Sequence, residues 1–254
     1  MTGALPENGF KRGLAEGRQL LGIWNTIPGP VVAELLATAG YDWVLLDTEH
    51  SLTDIPDLMG MLQAVAPYPG SAVVRVAGQD PVLMKRVLDM GAQTVMVPYV
   101  QSAEEARAIV GAMRYAPRGF RGVSGMTRAS RFGAVGDYVA RAEAELCLIV
   151  QVETAEAVGR IGEIAAIDGV DAIFIGPSDL AASMGLPGQA GHPQVVAMIE
   201  RAVKAIVAAG KPAGILTGDP AFARQCIGWG TRFTAVGIDM SILAAGVRAL
   251  RAQF

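Results

Sequence analysis

Eight short apolar runs recur along the chain, and most are followed by a segment whose apolar residues have helical spacing. The runs are continuous rather than alternating, which is typical of parallel strands that are covered on both faces. The pattern predicts strands at 21–26, 43–47, 72–76, 94–98, 147–153, 172–176, 213–216 and 234–238. Eight β-α units in 254 residues match the size of a (β/α)8 TIM barrel, so we predict an α/β fold with residues 1–254 as a single domain.

Helix start signals stand between the apolar runs. Capping residues precede helical segments at Asp54, Asp80, Ser102 and Thr154, and His192-Pro193 precedes the long helical segment that ends at Gly210. A doubly wound sheet alternates in the same way, but it usually has a glycine-rich phosphate turn after its first strand, and segment 25–30 lacks one. The long irregular segment 115–137 contains arginines that suit either phosphate binding or a solvated or subunit-contacting surface, at positions 118, 121, 128 and 131.

Composition narrows the chemistry that this chain can perform. Hydrophobic residues make up 52% of it and charged residues 18%, which excludes disorder, and a net charge of −3 gives no footprint for nucleic acid. The two cysteines, Cys147 and Cys226, are too few for a thiol-rich zinc site, and we expect buried free thiols. We find neither the apolar run of a signal peptide nor a membrane span, so we expect a soluble, cytoplasmic protein without a membrane partner.

Polar side chains follow several predicted strands, at the end where TIM barrels carry their active sites. Glu153 and Asp179 are two carboxylates that suit a hard divalent ion, although both positions also suit helix caps. Asp47 lies close to His50, where a carboxylate would fix the imidazole tautomer, but an exposed loop histidine fits the same spacing. Arg75 lies in an apolar strand and must meet a carboxylate or an anionic ligand, because an unpaired buried guanidinium is costly.

Six motifs follow one another along the chain. They are LLDTEHS, VVRV, RVLDMGAQTVMVPYV, YAPRGFRGVSG, IVQVETAEAV and DAIFIGPSDLAASMG. Together they resemble the HpcH/HpaI aldolase family of metal-dependent class II pyruvate aldolases, over about residues 20–252 and without the N-terminal MTGALPENGFK. The resemblance implies a TIM barrel of the phosphoenolpyruvate/pyruvate type. It also implies a homohexamer, built as a dimer of trimers, with the last helix (241–252) swapped between subunits.

The resemblance also implies roles for the candidate site residues. Glu153 and Asp179 would ligate Mg²⁺, Mn²⁺ or Co²⁺, and Arg75 would contact the pyruvyl group. His50 would be the catalytic histidine, with Asp47 as its partner in the same chain and Asp89 as a partner from a neighbouring subunit. The remaining positions line the metal site, the turn that receives the pyruvate carboxylate, and the aldehyde pocket: Gln151, Gly176, Pro177, Ser178, Trp24 and Leu216. For Trp24, packing of the indole ring in the core is an equally good interpretation.

The implied reaction is the reversible retro-aldol cleavage of 4-hydroxy-2-oxo acids to pyruvate and an aldehyde, through a metal-stabilised pyruvate enolate. No nucleotide is expected. A Schiff-base lysine is not expected either, because the four lysines fall outside the predicted strand ends: Lys11, Lys85, Lys204 and Lys211. Two alternatives stay open. One is an acyl-CoA lyase of the citrate lyase β type, which would share the Glu/Asp metal pair, and the other is a non-enzymatic barrel scaffold.

Overall fold

Eight parallel strands close into a barrel in which each strand pairs with its neighbours in chain order. The protein is described here by a computed structural model that covers residues 3–254. The strands are β1 (Leu20–Asn25), β2 (Trp43–Asp47), β3 (Ser71–Arg75), β4 (Thr94–Val97), β5 (Cys147–Val152), β6 (Ala172–Ile175), β7 (Ala213–Leu216) and β8 (Thr231–Ile238). The predicted TIM barrel is confirmed. Each predicted strand is present, and the largest difference is that β8 begins at Thr231 rather than at 234.

Helices connect successive strands around the outside of the barrel, with α1 before the first strand and α12 after the last. They are α1 (Gly9–Ala15), α2 (Pro30–Thr38), α3 (Ile55–Val65), α4 (Pro81–Asp89), α5 (Ala103–Met113), α6 (Tyr138–Arg141), α7 (Ala155–Val158), α8 (Ile161–Ala165), α9 (Pro177–Ser183), α10 (Pro193–Ala208), α11 (Pro220–Trp229) and α12 (Asp239–Arg251). Each predicted capping residue accepts a hydrogen bond from a backbone N–H of the helix that follows, as expected for Asp54, Asp80, Ser102 and Thr154. His192, which was not predicted as a cap, caps α10 in the same way. Within residues 3–254, no helix has the length and apolar character needed to cross a bilayer.

Aromatic rings fill the inside of the barrel, and aliphatic side chains fill the layer between strands and helices. Trp43 and Phe233 are fully buried in the interior. The Trp43 ring occupies the space next to Gly22, where any Cβ atom would overlap it. Glycine is therefore required at this point of β1, because the ring needs direct access to the strand backbone.

The N-terminal segment closes the end of the barrel at which the strands begin, which we call the lower end. The sequence pattern did not predict this feature. Helix α1 inserts Phe10, whose ring contacts Trp43 and Phe233 edge-on with centroids 5.8 and 5.5 Å apart. Asn8 caps the helix, and its side-chain amide donates to the hydroxyl of Thr94 at 3.0 Å. A seven-residue helix is too short to show helical periodicity, so its sequence gave no signal.

The arginine-rich segment 115–137 lies at the same lower end, because it leads from α5 towards the start of β5. Arg121 has a fully buried side chain and pairs with Asp89 at 2.6 Å. Arg118 pairs with acidic side chains at 3.0 and 3.1 Å, and Arg128 donates to a backbone carbonyl just after α4 at 2.7 Å. These arginines hold the segment on their own chain. They lie at the opposite end from the strand ends where a substrate phosphate or an anionic aldehyde would bind.

The last helix, α12, packs little against its own barrel. Asp239 is its buried residue, and its carboxylate accepts hydrogen bonds from Asn25 Nδ2 at 2.6 Å and Thr26 N at 2.9 Å. The rest of the helix presents exposed apolar side chains to its surroundings: Met240, Ile242, Leu243, Val247 and Leu250. Asp239 therefore fixes where the helix starts, whereas its apolar face has no partner within the described residues.

The ring of Phe10 should contribute strongly to stability. We expect Phe10→Ala to lower the free energy of unfolding by about 3–5 kcal/mol, because it empties a space between two aromatic rings that cannot close up. Urea unfolding at a fixed protein concentration measures the change. The matched control is Phe132→Ala, since Phe132 is 66% exposed, and it should cost less than about 1 kcal/mol. Equal losses in both variants would contradict a plugging role for α1.

Candidate active site

The carboxyl ends of the parallel strands form one mouth of the barrel, and most of the predicted site residues lie at this mouth. They stand on a strand end or just after it: Trp24, Asp47, His50, Arg75, Gln151, Glu153, Gly176, Pro177, Ser178, Asp179 and Leu216. Because neighbouring strand ends converge here, residues from β1 to β7 that are far apart in sequence become neighbours.

Arg75 and Asp47 form the buried centre of this mouth. They are register partners on β3 and β2; Arg75 Nε donates to Asp47 Oδ1 at 2.9 Å and Nη2 donates to Oδ2. The indole N–H of Trp24 donates to the same Oδ2 at 3.0 Å, and the guanidinium lies 4.9 Å from the indole ring centre. Burial alone would raise the pKa of Asp47, but the hydrogen bonds and charge of Arg75 hold it below its usual value. The arginine of the apolar strand thus meets an internal carboxylate.

The predicted pairing of Asp47 with the His50 imidazole is not the arrangement in this structure. The Asp47 oxygens are occupied by Arg75, Trp24 and the backbone N–H of Glu49 at 2.9 Å. The contact with His50 is to its backbone N–H, at 3.4 Å. A buried guanidinium and three other donors satisfy this carboxylate more completely than one exposed imidazole could. The imidazole itself points outward, with 69% of its side chain exposed.

Glu49 belongs to the site, and the sequence reasoning missed it. Its Oε2 lies 2.8 Å from Arg75 Nη1, so two carboxylates hold one guanidinium. Its other oxygen, Oε1, lies 3.9 Å from His50 Nε2. Burial raises the pKa of Glu49, Arg75 and His50 oppose that rise, and the negative charges of Asp47 and Asp179 add to it. The sequence signal for Glu49 was its place between Asp47 and His50. One Asp–His pair at this strand end would not require a second carboxylate.

Glu153 is a buried carboxylate with few partners. Its Oε1 accepts the backbone N–H of Tyr99 at 2.7 Å, and its Oε2 accepts the Gln151 side-chain amide at 3.0 Å. Burial raises the pKa of Glu153 to about 7; the Tyr99 hydrogen bond opposes this, and the charge of Asp179 reinforces it. The cap of the following helix is Thr154, which accepts from Ala157 N at 3.1 Å. The alternative interpretation of Glu153 as a helix cap is therefore wrong.

Asp179 and the turn before it stand beside Glu153. Gly176 is the N-cap of α9 and is buried, Pro177 is half-buried, and Ser178 and Asp179 are exposed at the mouth. A Cβ atom on Gly176 would overlap the Glu153 carboxylate. This close approach requires glycine, and it places the start of α9 directly against the carboxylate.

The two remaining predicted site residues, Leu216 and Asp89, lie at opposite ends of the barrel. Leu216 ends β7 and is half-buried against the barrel interior at the mouth, as a pocket wall requires. Asp89 ends α4 and pairs with Arg121 at 2.6 Å. Helices run back along the barrel, so Asp89 lies at the lower end of its own chain and cannot take part in the mouth of that chain. A role for it in a neighbouring subunit stays a prediction.

The lysines lie away from the mouth. Lys11 and Lys211 donate to backbone carbonyls just before β5 and β6, both at 2.6 Å, and so occupy the lower end. Lys204 pairs with Glu200 on the outside of α10 at 2.5 Å. Lys85 lies on α4, beside Gly122 of the lower segment.

The mouth contains oxygen donors that fit a hard divalent ion. Within residues 3–254, no group of three His, Cys, Asp or Glu side chains is arranged to hold a metal. Glu153, Asp179 and Gln151 offer oxygens, and Gln151 Oε1 is buried without a hydrogen-bond partner among the described residues. Ions such as Mg²⁺ bind through one or two carboxylates and keep water or substrate oxygens in the other positions. The donor set therefore fits such an ion.

Comparison with known proteins agrees with this geometry. The chain is 58% identical over 250 residues to a pyruvate aldolase of Rhizobium etli, with 98% of each chain covered. It is 49% identical over 250 residues to a hydroxypyruvate/pyruvate aldolase of Sagittula stellata, covering 98% of this chain and 99% of the relative. A crystal structure of an HpcH/HpaI aldolase/citrate lyase family protein from Burkholderia cenocepacia superimposes with a TM-score of 0.93 at 40% identity, covering 97% and 98% of the two chains.

A family profile locates the shared region. The profile described as HpcH/HpaI aldolase/citrate lyase matches residues 20–245, which contain the barrel strands and each residue of the mouth described above. The N-terminal plug, α1, precedes that region. With its closed barrel, its acidic mouth around Arg75 and this match over most of its length, the chain belongs to the HpcH/HpaI aldolase/citrate lyase family.

Proposed function

We propose that this protein is a metal-dependent pyruvate aldolase. It cleaves 4-hydroxy-2-oxo acids to pyruvate and an aldehyde and catalyses the reverse addition. The observation that carries this proposal is the pairing, at one mouth, of an oxygen-donor set at Glu153 and Asp179 with the buried guanidinium of Arg75. Breaking the C3–C4 bond leaves an electron pair on C3 that is delocalised onto the C2 carbonyl oxygen as an enolate, and fixed positive charge stabilises that oxygen.

Glu153 and Asp179 would hold the divalent ion, with Gln151 lining its site. Mg²⁺, Mn²⁺ and Co²⁺ all accept such oxygen ligands. A bound ion of this kind supplies Lewis-acid chemistry, polarising a carbonyl oxygen. The raised pKa of Glu153 and its few hydrogen bonds are what a carboxylate awaiting a cation would have.

Arg75 and His50 would handle charge and protons at the reacting atoms. Two N–H groups of Arg75 donate to Asp47, and its Nη1 forms an ion pair with Glu49 at 2.8 Å. The N–H groups that remain would donate to the substrate carbonyl oxygen. His50, at the exposed rim, would take the proton of the C4 hydroxyl in cleavage and return it in addition. The turn from Gly176 to Ser178 would receive the pyruvate carboxylate. Trp24 and Leu216 would line the aldehyde side.

A substrate panel tests the reaction. Purified enzyme loaded with Mn²⁺ is supplied with pyruvate, or with hydroxypyruvate, and a series of aldehydes, and products are identified by mass spectrometry. We expect 4-hydroxy-2-oxo acids from pyruvate. Cleavage of acyl-CoA thioesters without any reaction of free oxo acids would favour the acyl-CoA lyase alternative, and absence of both reactions would favour a scaffold.

Metal removal and pH should act together through Glu153. We expect EDTA to abolish turnover and Mn²⁺ to restore it. Because the pKa of Glu153 is about 7 and the carboxylate must lose its proton to bind a cation, Mn²⁺ binding should tighten from pH 6 to pH 8. Titration calorimetry at each pH measures this, with Glu153→Gln and Asp179→Asn as variants that should bind weakly throughout. Affinity independent of pH would contradict the assignment of Glu153.

Substitutions of Arg75 test its charge and its shape separately. Arg75→Ala should lower kcat about a hundredfold or more, since a transition-state donor of this type is worth roughly 3–4 kcal/mol. It also leaves Asp47 buried and unpaired, so the result needs Arg75→Lys beside it, which keeps the charge but not the planar fork. We expect Arg75→Lys to fold normally by circular dichroism and still to lose at least tenfold in kcat. Near-normal turnover of either variant would remove the proposed role.

We also propose that the protein assembles as a dimer of trimers in which α12 packs on a neighbouring subunit. In an ordinary barrel, the helix after β8 covers the surface beside the helix after β1. Here the apolar stripe of α12 is exposed, and Val31 and Leu35 on α2 are 76% and 66% exposed. Two exposed apolar surfaces that α12 would normally bring together suit an exchange of α12 between copies. Asp89 would then be available to a neighbouring mouth.

A charge placed in the stripe tests this assembly. We expect Leu243→Asp to shift the protein from a hexamer to smaller species in size-exclusion chromatography with light scattering, because it buries a carboxylate in an apolar contact. The control, Ala245→Asp, places the same charge two residues along the helix, on its opposite side. Hexamers in both variants, or a monomeric wild-type protein, would contradict the exchange.

A further inference from the structure

We propose that Tyr99 is a positioning residue for Glu153, because a one-residue bulge after β4 turns the Tyr99 backbone N–H out of the barrel ladder and onto that carboxylate. The inference rests on the proposed function, since it concerns how a carboxylate that would bind the divalent ion is held. It starts from the backbone of Tyr99, which has a φ of 56°. Bulky residues rarely adopt this left-handed conformation, and one that does must be held in it by its surroundings.

The hydrogen-bond ladder between β4 and β5 gains one residue at this point. The two strands pair in parallel with a constant register, and at the start of the ladder Cys147 N donates to Gln93 O at 2.8 Å. Every second carbonyl of β5 then accepts from β4, so the same register would give the Gln151 carbonyl the N–H of Tyr99. In the structure that carbonyl accepts from Val100 N instead, at 2.9 Å. The extra residue is a bulge, and its effect is to release the N–H of Tyr99.

The released N–H donates to the Glu153 carboxylate. Tyr99 N lies 2.7 Å from Glu153 Oε1, and the Gln151 side-chain amide donates to Oε2 at 3.0 Å. Each carboxylate oxygen therefore has a donor of its own, and the two donors together fix the plane of the group. With a regular ladder, the backbone donor would be used within the barrel, and the side-chain amide would hold Glu153 by itself.

The residues around Tyr99 hold its backbone in place from both sides. Pro98 is buried and has a restricted φ, and Val100 is fully buried in the layer between strands and helices. The Gln79 side-chain amide donates to the Tyr99 carbonyl at 3.0 Å. The Tyr99 ring itself is exposed, so packing of the ring does not impose the conformation. The fixed flanks impose it, which is the condition under which backbone strain persists at a functional site.

The other left-handed residues differ from Tyr99 in what their N–H groups reach. Within residues 3–254, the remaining non-glycine residues with positive φ are Arg131 and Phe132, at 51° and 54°. Their N–H groups donate to the backbone carbonyls of Arg128 and Thr127, both at 2.9 Å, inside the lower segment. Those residues form a local turn. At Tyr99 the same backbone conformation presents a donor to a carboxylate of the mouth.

Substitutions that change the preference for the left-handed conformation test the inference. Mn²⁺ affinity is measured at pH 8 from the electron paramagnetic resonance signal of the free ion. Tyr99→Val should bind Mn²⁺ about ten- to a hundredfold more weakly, because a β-branched residue resists this φ and the loss of a partner outside the metal ligands has an effect of this size. Tyr99→Gly and Tyr99→Asn adopt it readily and should stay within about threefold of the wild-type protein.

A second measurement removes the donor and leaves the side chain. Tyr99 is replaced by its α-hydroxy acid analogue, which exchanges the backbone N–H for an ester oxygen. We expect a loss of Mn²⁺ affinity of the same size, about ten- to a hundredfold. The same exchange at Tyr138, whose N–H donates to Val135 O at 3.2 Å away from the mouth, should leave the affinity unchanged. This pair decides the question even where Tyr99→Val does not fold.

Phe132→Val is the matched control for the substitutions, since it places a β-branched residue at almost the same φ. It should be destabilised in urea unfolding as Tyr99→Val is, while its Mn²⁺ affinity stays at the wild-type value. Equal Mn²⁺ affinity in the Tyr99 ester and the wild-type protein would overturn the inference. Losses in Tyr99→Gly and Tyr99→Asn as large as in Tyr99→Val would also overturn it, because they would assign the effect to the ring. A wild-type protein that binds no Mn²⁺ would instead contradict the proposed metal site itself.

Discussion

The buried pair of Arg75 and Asp47 is the interaction around which the mouth of this barrel is organised. A guanidinium inside an apolar strand is tolerated because the register partner on the next strand is a carboxylate, and the two meet through two hydrogen bonds. The indole of Trp24 donates to the same carboxylate and packs against the guanidinium. Three strands are thereby tied together at the point where a positive charge is fixed, and Glu49 forms an ion pair with the other side of the guanidinium.

The second constraint is the burial of Glu153 beside the start of α9. Its carboxylate lies against the Gly176 backbone, with a backbone N–H and one amide as hydrogen-bond partners. Such a group has a raised pKa because burial disfavours its charge, and a cation would reverse that preference. The exposed carboxylate of Asp179 stands beside it, so this corner of the mouth holds two neighbouring acids, and the negative charge of Asp179 raises the pKa of Glu153 further.

The two terminal helices, α1 and α12, pack in different ways. At the lower end, the Phe10 ring of α1 fills the barrel interior, and Arg121 of segment 115–137 pairs with a carboxylate of the same chain. At the other end of the sequence, α12 starts at a carboxylate with several hydrogen bonds and then leaves the barrel with its apolar side chains exposed. The N-terminal segment thus completes the core of its own chain, while α12 presents an apolar surface that has no partner among residues 3–254.

The sequence by itself determined the barrel, because apolar runs and capping residues are local signals that each element carries independently. Strand order, helix starts at residues such as Asp54 and Ser102, and the carboxylates at the mouth all followed from spacing, motif and strand position. The partners of Asp47, Glu49 and Asp89 could not be predicted in this way. They depend on which side chains meet across strands and loops, and the strongest donor within reach, a buried guanidinium, decided each case. The plug made by α1 likewise became visible only in the tertiary structure, since seven residues carry too little periodicity to predict what they cover.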